Sequence, residues 1–225
     1  MAELTTPIPI VALDRPDAAA ALAIVDSLGD ACRFYKVGLE LFVAEGPPIV
    51  EALRARGADV FLDLKLHDIP NTVAGAVRSA LRLDVRLLTL HTSGGASMLS
   101  AAAEAAEGSD CGLLGVTVLT SVDAAPDEVL RLAALAADGG LHGVVCSGRE
   151  AAAVRQWWGG RLATLVPGIR PPGISRDDQA RVVTPREAAE AGATYVVIGR
   201  AVTAEQDPRA AYEAISAELR DGAQV

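Results

Sequence analysis

Short apolar runs recur at even spacing along the chain, divided by alanine- and leucine-rich stretches whose apolar positions follow helical periodicity. Eight runs read as strands: Ile8–Leu13, Phe34–Val37, Val60–Asp63, Leu87–Leu90, Leu113–Val118, Gly143–Cys146, Ala163–Val166 and Tyr195–Ile198. Most are almost continuously apolar, as parallel strands covered on both faces require. Helical patterns lie between them, at Asp17–Leu28, Pro47–Arg56, Thr72–Leu81, Ala96–Ala106, Pro126–Ala137 and Arg149–Trp157. Ser147 with Glu150, and Thr184 with Glu187, have capping-box spacing, and Pro185 falls at the first helical position after Thr184. Eight β–α alternations in 225 residues predict a single-domain (β/α)8 TIM barrel over residues 1–225, with a doubly wound open sheet as the alternative. No linker, low-complexity tract or second domain breaks the pattern.

A barrel of this kind carries its active site at the C-terminal ends of the strands, often with a phosphate held by the loops after strands seven and eight. The polar residues just beyond each apolar run are therefore the ones to inspect. They are Asp14 after the first, Lys36 at the second, Asp63, Lys65 and Asp68 at the third, and His91 after the fourth. Thr120 and Ser121 follow the fifth, Arg170 the seventh, and Gly199 with Arg200 the eighth.

Composition sharpens this reading. Of the 20 basic residues 18 are arginine, and the two lysines, Lys36 and Lys65, both stand at strand ends. Arginine keeps its proton in proteins, whereas lysine is a compact ammonium able to release one. The net charge of −9, with no basic stripe, argues against a nucleic-acid partner. The longest apolar run falls short of the 18 residues that suggest a membrane span, and an acid stands near the N-terminus where a signal peptide carries basic residues. Three cysteines, Cys32, Cys111 and Cys146, lack metal-like spacing. A cytoplasmic protein without a metal site is expected.

The segment from Phe61 to Pro70 holds the densest chemistry. Strand alternation puts Phe61, Asp63 and Lys65 on one face and Leu62 and Leu64 on the other. If the leucines pack against helices, a carboxylate and an ammonium are forced into the barrel mouth, where buried charge persists only when paired. Asp68, Asp14 and Lys36 can extend the pair into an alternating network. As a stability device alone such a network is a poor choice, because apolar replacement is often neutral or stabilising.

Asp63-Leu64-Lys65-Leu66-His67-Asp68-Ile69-Pro70-Asn71-Thr72 resembles the signature of the orotidine 5'-monophosphate decarboxylases in their shorter bacterial form. Agreement extends to Ile10–Asp14, Lys36–Phe42, His91–Gly95, Val118–Ser121, Gly143–Ser147, Pro167–Arg170, Asp178–Val182 and Ile198–Arg200, so it runs from about Ile8 to about Tyr212. The aspartate–lysine–aspartate motif alone is shared with phosphosugar decarboxylases and synthases; with Ile69-Pro70, Pro167–Arg170 and Asp178-Gln179 the combination is specific. Two departures are small: His142 stands where many relatives carry an acid, and Ala201 where proline is common.

The resemblance implies a homodimer that decarboxylates orotidine 5'-monophosphate to uridine 5'-monophosphate, without metal or cofactor. In it Lys65 stabilises the carbanion and supplies the proton, Asp63 lies near the departing carboxylate, and Asp68 and Thr72 reach the partner subunit's site. Asp14 and Lys36 hold the ribose hydroxyls, Thr120 the pyrimidine edge, and Arg200 with Gly199 the phosphate. The loop Arg170–Gln179 is a lid, with Gln179 bridging pyrimidine and phosphate.

Three rivals remain on the residues alone. A Schiff-base aldolase would need Lys65 as a neutral amine, against its flanking carboxylates. A magnesium-dependent phosphosugar enzyme would share the motif, and a non-catalytic phosphate-ligand binding protein would keep its phosphate affinity with no turnover for Lys65→Ala to change. His67 and His91 read as structural, Trp157-Trp158 as helix-end packing, and Cys146 as an inert core thiol.

Overall fold

The computed structural model describes residues 5–119, 125–171 and 182–224. Eight parallel strands close a barrel in sequence order: β1 (Ile8–Ala12), β2 (Phe34–Gly38), β3 (Asp59–Leu66), β4 (Leu87–His91), β5 (Gly112–Val116), β6 (Gly143–Val145), β7 (Ala163–Val166) and β8 (Tyr195–Ile198). β8 pairs back onto β1, so the open-sheet alternative falls away. Around the barrel run α1 (Ala18–Leu28), α2 (Leu39–Glu45), α3 (Pro47–Arg54), α4 (Pro70–Leu81), α5 (Ala96–Ala106), α6 (Pro126–Asp138), α7 (Gly148–Trp158), α8 (Pro185–Glu190), α9 (Arg200–Thr203) and α10 (Pro208–Gly222).

The strand boundaries differ from the sequence pattern in an instructive way. β1, β5 and β6 stop one or two residues early, because Leu13, Val118 and Cys146 continue the apolar run beyond the ladder. β3 instead runs on through Lys65 to Leu66, past the point where polar residues interrupt the apolar pattern. Local chemistry sets the helix starts. Asp17 accepts from the Ala20 N–H at 2.8 Å, and Asp207 from the Ala210 N–H at 3.0 Å. The Thr184–Glu187 box closes in both directions, and Glu150 accepts from the Ser147 N–H at 2.7 Å.

Period-two alternation sorts the strand residues into two apolar layers. Outward-facing Val11, Tyr35, Val37, Val60, Leu62, Leu88, Leu90, Val144, Val196 and Ile198 pack against helix faces such as Ala21–Val25–Leu28 of α1. Inward-facing Ile10, Phe34, Phe61, Leu87, Leu114, Leu165, Tyr195 and Val197 fill the barrel. Each fully buried Leu or Val stabilises by about 1.5–3 kcal/mol before chain entropy is set against it. Among the described residues no helix is long and apolar enough to cross a membrane.

The floor of the barrel holds a tyrosine–histidine pair. Tyr195 meets Phe34 edge-on at 6.4 Å, and its hydroxyl lies 3.3 Å from His142 Nε2. Burial, helped by the charge of Arg86, pushes His142 below the usual histidine value. Below its ordinary pKa of about 6.5 the unfolded histidine therefore binds a proton that the folded one resists. The stability it contributes is complete above that pH and is lost as the pH falls. Urea unfolding from pH 7.5 down to 5.5 should show declining stability, and His142→Gln should flatten the slope; an unchanged slope would remove His142 from the linkage.

Candidate active site

The inward positions change character up the barrel. On β1 to β4, and two residues past the end of β1, the series Ile10–Ala12–Asp14, Phe34–Lys36, Phe61–Asp63–Lys65 and Leu87–Thr89–His91 passes from apolar residues to polar ones at the C-terminal mouth. On β5 to β8 the same positions stay apolar, with Val116, Val145, Leu165 and Val197. The two halves enclose a cavity of about 450 Å³, charged on one wall and apolar on the other. Asp14, Lys36, Asp63, Lys65, Arg170, Gly199 and Arg200, all expected from the sequence, line it.

Four charges on the polar wall alternate in sign. Lys36 Nζ donates to Asp14 Oδ1 at 2.7 Å and lies 3.8 Å from Asp63 Oδ2. The same Asp63 oxygen accepts from Lys65 Nζ at 2.8 Å. The Lys36 and Asp63 side chains are only 10% and 13% exposed, so each depends on its neighbours in place of water. Asp14, 57% exposed, lets the chain run out into solvent.

Regular alternation does bring Asp63 to this wall, but Lys65 reaches it by a different route. Leu62 pairs with Leu88 and Leu66 with Leu90, so Asp63, Leu64 and Lys65 stand opposite the single residue Thr89. Within this irregularity Lys65 adopts φ of 49°, the left-handed region, which costs an L-residue roughly 1–2 kcal/mol. Leu62 and Leu64 still pack on the outer core as expected, and Leu66 joins them. Thr89, absent from the sequence expectations, accepts from the Lys65 backbone N–H at 2.9 Å and donates to Asp63 Oδ1 at 2.9 Å. The one signal that pointed to it is a polar residue inside the run Leu87-Leu88-Thr89-Leu90.

Not every expected residue converges on the cavity. Asp68 is exposed and its carboxylate accepts from the Ile69 N–H at 2.6 Å; Thr72 is exposed on the first turn of α4. Neither lines the cavity of its own chain. Thr120, Ser121 and Gln179 lie outside the described residues, as does the loop after Pro171. Arg170 at its start is buried, with Nη1 donating to the Ile169 carbonyl at 3.0 Å. Arg200 opens α9 directly behind Gly199. Arg15, a lining residue that sequence reasoning missed, donates from Nη2 to the Thr203 carbonyl at 2.5 Å and so ties the β1 loop to α9. Its only sequence signal was its place beside Asp14.

His67 and His91 form a tilted ring pair with centroids 5.4 Å apart at the β3–β4 mouth. Burial, then the neighbouring His67 and Lys65, push His91 below the usual histidine value, and Asp63 acts against them. The balance favours the neutral ring of His91. Among the described residues no group of three or more His, Cys, Asp or Glu side chains is placed to hold a metal ion.

Residues 7–215 match the Orotidine 5'-phosphate decarboxylase / HUMPS family. The chain belongs to this family. An orotidine 5'-phosphate decarboxylase of Halorhodospira halophila is 50% identical, with 93% of this chain and 94% of the relative aligned. One from Moorella thermoacetica is 47% identical over 93% of this chain and 91% of its own. Among solved structures, orotidine 5'-phosphate decarboxylase from Lactobacillus acidophilus superposes with a TM-score of 0.83 at 35% identity, covering 96% of this chain and 99% of that one. The enzyme of that name from Pyrococcus horikoshii gives 0.80 at 25% identity, covering 95% and 99%.

Membership in the decarboxylase family makes one backbone position informative. A Cβ on Gly38 would stand 2.9 Å from Lys36 Nζ, closer than real contacts allow, and 3.0 Å from Asp14 Oδ1, tighter than most of them. Both are the mobile ends of side chains, so the barrel can absorb the change while the ion pair must move. Gly38→Ala should leave the unfolding midpoint near that of the wild type and raise KM for orotidine 5'-monophosphate several-fold. A wild-type KM would show that the Asp14–Lys36 geometry is not used in binding.

Proposed function

We propose that this chain is an orotidine 5'-phosphate decarboxylase, a carboxy-lyase that converts orotidine 5'-monophosphate to uridine 5'-monophosphate and carbon dioxide in pyrimidine biosynthesis. Beside its family membership, the observation that carries this reading is the Asp14–Lys36–Asp63–Lys65 chain on the cavity wall. The bond from the pyrimidine ring carbon to the carboxylate breaks, carbon dioxide leaves, and the electron pair stays on the carbon. The Lys65 ammonium faces that charge as it develops and then gives the carbon its proton, recovering one from water. One side chain thus serves as electrostatic stabiliser and general acid. Asp63, 2.8 Å from Lys65 Nζ, orients the ammonium beside the departing carboxylate.

The rest of the substrate is assigned by position. Asp14 and Lys36 take the ribose hydroxyls. Arg200, with Gly199 allowing close approach, takes the phosphate, and Arg170 stands at the base of the lid. Thr120 and Gln179 are assigned to the pyrimidine and to the bridge between pyrimidine and phosphate. Binding energy from the remote phosphate would then be available to order the reacting end. The apolar wall of Val116, Val145, Leu165 and Val197 suits a ring that must be kept from water.

We further infer a homodimer, with a cytoplasmic setting, in which Asp68 and Thr72 complete the partner subunit's site. Both are exposed and neither lines its own chain's cavity, and exposed apolar Leu39, Val43 and Ile69 follow the neighbouring strands β2 and β3. A surface of that kind is more often covered than left in water.

Ultraviolet absorbance on mixing with orotidine 5'-monophosphate tests the reaction. Conversion to uridine 5'-monophosphate that a chelator leaves unchanged is expected, and Lys65→Ala should reduce it by at least about a thousandfold with the fold intact. No conversion by folded protein, or an active Lys65→Ala, would overturn the reading. Mixing inactive Lys65→Ala with inactive Asp68→Ala should restore part of the activity, since each hybrid dimer has one intact site. No recovery under verified subunit exchange would place Asp68 in its own chain's site.

A further inference from the structure

We propose that Thr89 is the positioning residue of the Asp63–Lys65 pair, fixing both the carboxylate and the lysine backbone through a single hydroxyl. This rests on the reading of Lys65 and Asp63 as the reacting pair and goes beyond it. Thr89 sits on β4 with no exposed surface, inside the apolar run Leu87–Leu90. A buried hydroxyl in such a place must find partners, and Thr89 finds two. Its Oγ1 accepts from the Lys65 N–H at 2.9 Å and donates its own proton to Asp63 Oδ1 at 2.9 Å. One proton and one lone pair are spent, and both partners belong to the pair.

The strand register explains why a side chain is needed there. Three residues of β3, Asp63 to Lys65, face one residue of β4, so the ladder cannot serve them all with backbone groups. Lys65 holds a left-handed φ of 49° at this point, and such a conformation persists only where its surroundings enforce it. The hydroxyl takes the N–H of that residue. It also occupies Asp63 Oδ1, which leaves Oδ2 for Lys65 Nζ at 2.8 Å. Thr89 therefore sets the carboxylate plane and the start of the lysine side chain together, from a strand that carries neither.

Thr89→Val keeps the shape and removes the hydroxyl; Thr89→Ser keeps the hydroxyl and removes the methyl. The valine variant is expected to lose about 10- to 100-fold in kcat, the scale of one buried hydrogen bond to a charged group, with KM within about threefold of the wild type. The serine variant should keep kcat within about threefold, since the hydroxyl's bonds survive. Binding of uridine 5'-monophosphate, read by calorimetry, should be alike in all three. If the valine variant does not fold, Thr89→Ala replaces it with the same expectation. A folded valine or alanine variant at wild-type kcat overturns the proposal, and so do equal losses in the serine and valine variants or a rise confined to KM. Lys65→Ala, assayed in parallel, separates the two readings. If it is inactive while Thr89→Val is unimpaired, the failure belongs to Thr89 alone; if it is active, the catalytic pair and its positioning residue fall together.

Discussion

Setting two ammonium groups and two carboxylates at the mouth of an apolar barrel, with Lys36 and Asp63 almost out of water, is possible only if the signs alternate and the distances are short. Asp14, Lys36, Asp63 and Lys65 meet that condition, with contacts of 2.7, 3.8 and 2.8 Å along the chain. Removing one member of a buried pair leaves its partner uncompensated, at a cost of about 3–5 kcal/mol. Replacing the whole network by apolar side chains carries no such penalty and can stabilise. A fold selected for stability alone would have little reason to keep it. The network is best understood as a constraint the barrel accommodates so that one cation is held beside one carboxylate where a substrate can reach both.

The barrel meets that constraint by grading its interior. Ile10, Phe34, Phe61 and Leu87 fill the lower layer of the first four strands, so the charges above them stand on a dry floor. The four strands opposite supply Val116, Val145, Leu165 and Val197 at the level of the charges. Water is thereby restricted on one side of each ion pair, which strengthens the pairs that are made and raises the cost of any left unmade. Gly38 belongs to the same design: with no Cβ it leaves room for Lys36 Nζ and the Asp14 carboxylate to meet at the end of β2.

Much of this was legible in the residues. The near-continuous apolar runs predicted eight parallel strands, and the polar residues that end them predicted seven of the residues lining the cavity. Those signals are local, because strand periodicity and strand ends can be read without knowing which strand pairs with which. Thr89 could not be read that way. Its importance comes from a register shift between β3 and β4, a relation between two strands that neither sequence run contains. Lys65 illustrates the same limit, since simple alternation put it on the correct wall but gave no hint of its left-handed backbone. Arg15 was passed over because its guanidinium reaches the carbonyl of Thr203, a residue 188 positions away.

The bias in the basic residues now has a geometric counterpart. Eighteen arginines serve the rest of the chain, and the two lysines are the cations of the alternating network. A guanidinium is a broad planar fork, and those that bridge two carboxylates here, Arg54 and Arg209, do so at the more open surface, whereas an ammonium is a compact point charge that fits a nearly buried gap. Lys36 does this, lying between Asp14 and Asp63. For Lys65 the argument is chemical as well as steric. On the proposed reaction the same atom must first face a carbanion as a cation and then surrender a proton to it. Arginine can perform the first task and not the second, because its guanidinium keeps its proton in proteins. The positions where lysine persists are therefore those where a fork would not fit or a fixed charge would not suffice.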